Sequence, residues 1–229
     1  MAAVSSLLDR ATYGVGQAAA LLGLRTDSVR RWLDGYSNNG TNYPPVVRPE
    51  PLGIETVTWG EFIELGYLRE YRRANVSLQR LRPAIDKLRS EFDTPYPLAL
   101  VRPLVFDREL VLRVQEELAL PSSLAFVVRS GQTIAVADNA NRFFKKIEFN
   151  PGQNGEAIRV RPAGQTSPVT IDPEISFGEP TVEGVATSRL WELFDAGETV
   201  EDLADGYELA VPTIGAGIAY EEQLRTLAA

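Results

Sequence analysis

Residues 13–32 read Tyr-Gly-Val-Gly-Gln-Ala-Ala-Ala-Leu-Leu-Gly-Leu-Arg-Thr-Asp-Ser-Val-Arg-Arg-Trp. The first half is Ala-rich and apolar on one helical face through Val15, Ala18, Ala19 and Leu22, and Gly23 stops the pattern. Thr26 stands where a cap would open a second helix running to Asp34, with Asp27 favourable in its first turn. Val29, Trp32 and Leu33 give that helix an inward stripe at i, i+3, i+4. Two helices about a glycine turn, with a tryptophan in the core, are the outline of a helix-turn-helix. The pattern also fits a three- or four-helix bundle with a solvated arginine face.

The flanks favour the first reading. Residues 37–43, Ser-Asn-Asn-Gly-Thr-Asn-Tyr, read as a loop or hairpin tip, stiffened on exit by Pro44 and Pro45. A helical pattern at 59–73 carries Trp59, Phe62, Ile63, Tyr67 and Tyr71. Ser77 is placed to cap a further helix with Leu78, Leu81, Ile85, Leu88 and Phe92 along one seam. A groove-reading helix needs cations beside it and polar side chains at its N-terminal end. Arg25, Arg30 and Arg31 supply the cations; Thr26, Asp27 and Ser28 sit at the end; Asn38, Asn39 and Thr41 form a wing tip.

Composition narrows the chemistry. Cysteine and histidine are both absent, which removes disulfides, thiolate and imidazole metal sites and Ser–His catalysis. No enzyme activity, cofactor or metal is expected. No apolar run is long enough to span a membrane, and 1–10 lacks a signal-peptide pattern, so a cytoplasmic protein is expected. The net charge of −8 is unevenly spread. Residues 1–92 hold 12 Lys+Arg against 10 Asp+Glu, whereas 168–229 hold 2 against 13. The first part can approach a polyanion; the last suits a basic partner.

Residues 93–167 change character. Runs at 100–106, 110–114, 124–128, 134–136 and 157–160 are β-rich, and Gly131, Pro151-Gly152 and Gly155 punctuate them. Residues 150–156 read as a turn. Arg142, Lys145 and Lys146 beside Phe143 and Phe144 read as a solvated strand edge. Beyond 168 come a short strand at 169–171, a turn-rich hairpin through Gly178, Pro180 and Gly184, and three short helices. The first, at 188–196, carries Leu190, Trp191 and Phe194. Thr199-Val200-Glu201-Asp202 spells a capping box, with Asp for Glu, opening the second. Thr213 is placed to cap the third, with Ile214, Ile218 and Leu224 inward. Adjacent carboxylates such as Glu116-Glu117 and Glu221-Glu222 point apart on a helix and build no shared site.

The fold class is α+β: a winged helix-turn-helix at 1–92, a small β-rich region at 93–167, and a C-terminal three-helix domain with a short hairpin at 168–229. Residues 13–32 resemble the helix-turn-helix of MerR-type regulators, with its Ala pair in the first helix and its Arg before an aromatic at the end of the second. The departure is Val57-Thr58-Trp59, where that family carries an Arg-Tyr wing ending. The C-terminal part from Ile171, about 55 residues, resembles a small domain of formally unknown function found in VapB-type antitoxins. The shared features are Asp172-Pro173, Phe177-Gly178-Glu179-Pro180, Gly184, the stretch 196–204 and Tyr207. Gly184-Val185-Ala186 departs from that family's Gly-Thr-Arg.

The resemblance implies an antitoxin that binds a PIN-type ribonuclease toxin and represses its own operon by binding operator DNA. A homodimer is expected, because one recognition helix reads too few bases. Trp191, Glu198, Glu201, Asp202 and Tyr220 are the candidate partner residues. The alternative is a ligand-responsive MerR-type regulator whose sensor is the middle region.

Overall fold

The computed structural model describes residues 6–73, 75–100, 142–152 and 155–228. It is α+β, and the chain divides into two compact units: Met1–Lys145 with Phe149–Ala157, and Lys146–Glu148 with Ile158–Ala229. The β-rich runs at 110–114, 124–128 and 134–136, and all of 100–106 except Leu100, lie outside the described residues, as does Glu116-Glu117.

The first unit opens with strand β1 (Ala11–Gly14), helix α1 (Val15–Leu21) and helix α2 (Thr26–Asp34). The hairpin β2 (Tyr36–Asn38) and β3 (Thr41–Tyr43), strand β4 (Thr56–Thr58) and helices α3 (Trp59–Arg73) and α4 (Leu78–Phe92) follow. β4 returns antiparallel to β1, which brings the start of α3 back to the start of α1. The inward stripes predicted on α1 and α2 are buried: Val15, Ala18, Ala19, Leu22, Val29, Trp32 and Leu33. Phe62 packs tilted against Tyr13 and stacks on Trp59, with ring centroids 4.7 and 5.4 Å apart. The Trp59 indole N–H donates to the carbonyl of Ala157 at 2.7 Å. Thr26 is the first helical residue and Arg25 takes the cap position without a side-chain bond, so α2 begins one residue earlier than its threonine suggests.

α3 is buried on nearly every side, including Glu61, Glu64 and Glu70. Its start is fastened by a reciprocal capping box: Thr58 Oγ1 accepts the Glu61 N–H at 3.2 Å, and the Glu61 carboxylate accepts the Thr58 N–H at 2.8 Å.

The second unit contains β7 (Val169–Ile171), β8 (Pro180–Val182), β9 (Val185–Ala186) and most of β5 (Ile147–Phe149) and β6 (Ala157–Val160), in the sheet order β5-β6-β7-β8-β9. The pairs from β6 to β9 are antiparallel. Helices α5 (Thr187–Asp195), α6 (Val200–Gly206) and α7 (Val211–Ala228) follow. Val169, Val182, Leu190, Leu203, Ile214 and Ile218 form the core. Gly217 lets α7 approach closely; a Cβ there would lie 3.1 Å from Leu190 and 3.3 Å from Val182. α7 begins at Val211, two residues before the expected Thr213 cap, because Pro212 fits a first turn where its missing N–H has no partner. Phe194, one of the apolar residues of α5, is exposed; Leu193, three residues after Leu190, packs on the core.

Glu64 carries a pH dependence. Burial pushes its carboxyl up to about 8, against the opposing pull of Arg89 and the Leu98 N–H. The folded unit therefore holds this proton more tightly than the unfolded chain, and the contribution is full below the ordinary value of 4.5 and lost as pH rises towards about 8. The melting temperature is expected to fall across that window in wild type and to fall less in Glu64→Gln, as followed by circular dichroism.

Candidate functional site

On the first unit, the candidate surface is built from α2 and the hairpin after it. Gly35 makes the junction possible. Its φ of 73° and ψ of −171° belong to a region open essentially to glycine alone. A Cβ there would lie 2.4 Å from the Tyr43 carbonyl oxygen. The hairpin turns at Asn39 and Gly40, with φ 48° and 77° between paired Asn38 and Thr41. Two positive φ values in a two-residue loop are the primed turn that matches strand twist. Tyr36 and Tyr43 stack across the strands at 4.6 Å, and the Arg31 guanidinium lies 5.1 Å from the Tyr36 ring centroid.

The predicted residues are distributed as follows. Arg25, Asp27, Arg30, Arg31, Asn38, Asn39 and Thr41 are exposed, and Thr26 and Ser28 are half-buried. Arg30 is engaged: its Nε and Nη2 each donate to Glu55 at 2.9 Å, and Asp27 lies 3.7 Å away. The Arg30 hydrogen bonds hold the Glu55 carboxyl below its ordinary value. Arg31 is committed to the Tyr36 ring.

Beneath this surface lies a group the sequence reading did not single out. Arg48 is buried and donates to Glu61 at 2.7 Å, to Asp34 at 2.8 Å and to the Thr56 carbonyl at 2.7 Å. Asp34 also accepts the Leu52 and Gly53 N–H groups at 2.9 and 3.3 Å. Burial alone would raise the Asp34 carboxyl, but the Leu52 N–H and Arg48 outweigh it and hold it low. The end of α2, the 48–56 segment and the start of α3 are thereby joined through one guanidinium. Arg82 donates to the carbonyls of Pro44 and Pro45, and Arg89 to those of Val46 and Val47, so α4 holds the chain leaving the hairpin.

On the second unit, Glu198, Glu201 and Asp202 are exposed around the start of α6. The N-cap half of the expected capping box is present. Thr199 Oγ1 accepts the Asp202 N–H at 3.1 Å and donates to the Asp202 carboxylate at 2.7 Å. Asp202 thus serves its own helix. Trp191 is half-buried, with the Arg225 guanidinium 3.7 Å from its ring centroid. Tyr220 corrects the sequence reading. It is 7% exposed and belongs to the same buried cluster as Val182, Leu190, Ile214 and Ile218. The basic group at 142–146 is likewise split: Arg142 and Lys145 are exposed, while Lys146 donates to the Pro162 carbonyl.

A family model described as "Protein of unknown function (DUF433)" matches residues 169–220. The chain is 37% identical to "Uncharacterized protein Rv2308" of Mycobacterium tuberculosis, over 97% of this chain and 94% of that protein. It is 26% identical to "Putative antitoxin VapB45" of the same organism, over 87% of this chain and 89% of that protein. The crystal structure of Rv2018 from Mycobacterium tuberculosis superposes with a TM-score of 0.70 at 24% identity, covering 93% of this chain and all of that one. The last likeness concerns the fold.

Gly35→Ala is expected to destabilise the first unit by about 2–3 kcal/mol, from the glycine-only backbone and the contact with Tyr43. Asn39→Gly is expected to change stability little, because its backbone already suits glycine. Urea titrations of the two variants test the contrast.

Proposed function

The chain belongs to the family of Rv2308 from Mycobacterium tuberculosis, and we propose that it is the antitoxin of a type II toxin–antitoxin pair. Kinship along almost the whole chain with a protein named as an antitoxin carries this reading. The DUF433 match at 169–220 falls on the segment the sequence likened to antitoxin domains. In this reading the second unit holds a PIN-type ribonuclease toxin. The acidic surface of 168–229, with Glu198, Glu201 and the Trp191 edge, suits a cationic RNA-binding protein.

The first unit reads operator DNA as a MerR-like winged helix-turn-helix, and the protein works as a cytoplasmic homodimer on two half-sites, with no catalytic role of its own. The exposed start of α2, with Arg25, Thr26, Asp27 and Ser28, faces base edges; Arg31 and the Asn38-Asn39-Gly40-Thr41 turn approach the backbone. The Glu55 partner of Arg30 is a brake on this binding, since it must share or release its cation when phosphate arrives.

A second reading, a ligand-responsive regulator without a toxin, draws on a 350 Å³ cavity in the first unit lined by residues including Leu8, Asp9, Asp93, Tyr96 and Glu156. Co-expression with the protein encoded beside its gene separates the two. The antitoxin reading expects a stoichiometric complex and silenced RNA cleavage. Cleavage undiminished by excess chain overturns it.

Binding to the DNA upstream of the gene, followed by fluorescence anisotropy at several salt concentrations, tests the first unit. Arg25→Ala and Arg31→Ala are each expected to weaken binding and to make the log K against log salt slope shallower by about one. Glu55→Gln is expected to tighten binding and steepen the slope, because it frees Arg30.

A further inference from the structure

The chain between β7 and β8 displays a phenylalanine at a conformational cost. Asp172 follows β7 and anchors the turn: its carboxylate accepts the Glu174 N–H at 2.9 Å and is held by Arg159 at 2.8 and 3.1 Å. The Ile175 N–H donates to the Asp172 carbonyl at 3.0 Å. Ser176, Phe177 and Gly178 then follow with φ of 46°, 54° and 81°. Glycine adopts that backbone freely; a bulky side chain rarely does. The turn is also closed on itself, with the Gly178 and Glu179 N–H groups donating to Ile175 and Ser176 at 2.9 and 3.0 Å.

At its centre Phe177 is 83% exposed. Burial among the described residues does not account for the phenylalanine, since most of it stays in water. Backbone preference does not either, since glycine or asparagine would sit there with less strain. Strained, over-determined positions concentrate where a side chain is presented to something else.

The surroundings specify what that is. Glu174, Glu179 and Glu183 are exposed around the turn, and the sequence holds no Lys or Arg between Arg161 and Arg189. An aromatic wedge entering nucleic acid needs cationic flanks, which are missing here. A second copy of the same acidic face would repel this one. We propose that Phe177 is an anchor residue that inserts into an apolar pocket on a basic protein, with Glu174, Glu179 and Glu183 meeting the cations at the pocket's rim. A buried aromatic within a polar rim is the usual anatomy of an interface centre. The inference deepens the antitoxin reading and rests on it only for the partner's identity.

The test uses the full chain in its native host, with Phe177→p-benzoylphenylalanine for photo-cross-linking and Phe177→Asn for affinity and stability. The expected result is a cross-link to one protein of net positive charge, identified by mass spectrometry. Purified Phe177→Asn is expected to bind that protein about thirtyfold more weakly or worse, the loss that marks an interface hot spot. Its melting temperature is expected to be unchanged or higher, because asparagine relieves the left-handed strain. A cross-link to DNA, to a second copy or to an acidic protein, or none at all, overturns the proposal. So does a lowered melting temperature, which marks a structural role, or an affinity within threefold of wild type. A basic partner without ribonuclease activity sinks the toxin reading and leaves the anchor standing. A chain that binds and silences the neighbouring ribonuclease with no cross-link from position 177 does the reverse.

Discussion

The Arg48 guanidinium, 2% exposed, is shared by two carboxylates and a backbone carbonyl from three different parts of the first unit. Taking a guanidinium and two carboxylates out of water is costly, and their mutual attraction offsets that cost only while every partner is in place. Removing one partner of such a group typically costs about 3–5 kcal/mol, because it strands a buried charge. Asp34 ends α2, Glu61 opens α3 and Thr56 begins β4. The hairpin between them carries exposed β2 and β3 and little core of its own. Its position follows from what is fastened on either side of it.

This arrangement changes the meaning of the charge count. Residues 1–92 carry a slight excess of cations, which looks like a surface prepared for a polyanion. Several of those arginines are spent inside the unit: Arg48 on carboxylates, Arg82 and Arg89 on the carbonyls of 44–47, Arg69 on Glu70 and the Leu22 carbonyl. Backbone leaving the hairpin has few ladder bonds, and its carbonyls need donors. The field at the candidate surface is therefore set by Arg25, Arg31 and a shared Arg30 rather than by the regional sum.

The second unit shows the opposite economy. Its acidic residues are mostly exposed and its core is small and apolar, so charge there is free to act outward. Some polar groups are turned inward. Glu221 accepts the Thr187 hydroxyl at 2.9 Å where α5 meets α7, and Arg159 holds Asp172 at the end of β7. The second fixes the turn that carries Phe177. That ion pair, with the backbone bonds inside the turn, holds the segment that displays Phe177.

Periodicity alone identified α1 to α4, their inward residues and the burial of Trp32, because a helix's pattern of contacts is written in residues three and four apart. The Thr199–Asp202 cap was legible for the same local reason, and Thr58-Trp59-Gly60-Glu61 spells an equally local box that the reading passed over. Gly23 and the Gly40 of the 37–43 loop marked their turns, because the absence of a Cβ makes such backbones cheap. What the sequence could not give was every pairing across distance. Arg30 with Glu55, Arg48 with Asp34 and Glu61, and Tyr220 in the core rather than at an interface all depend on which faces meet. Phe177 belongs with these. A motif names the residue, but its left-handed backbone and its exposure exist only once β7 and β8 pair and the turn closes between them.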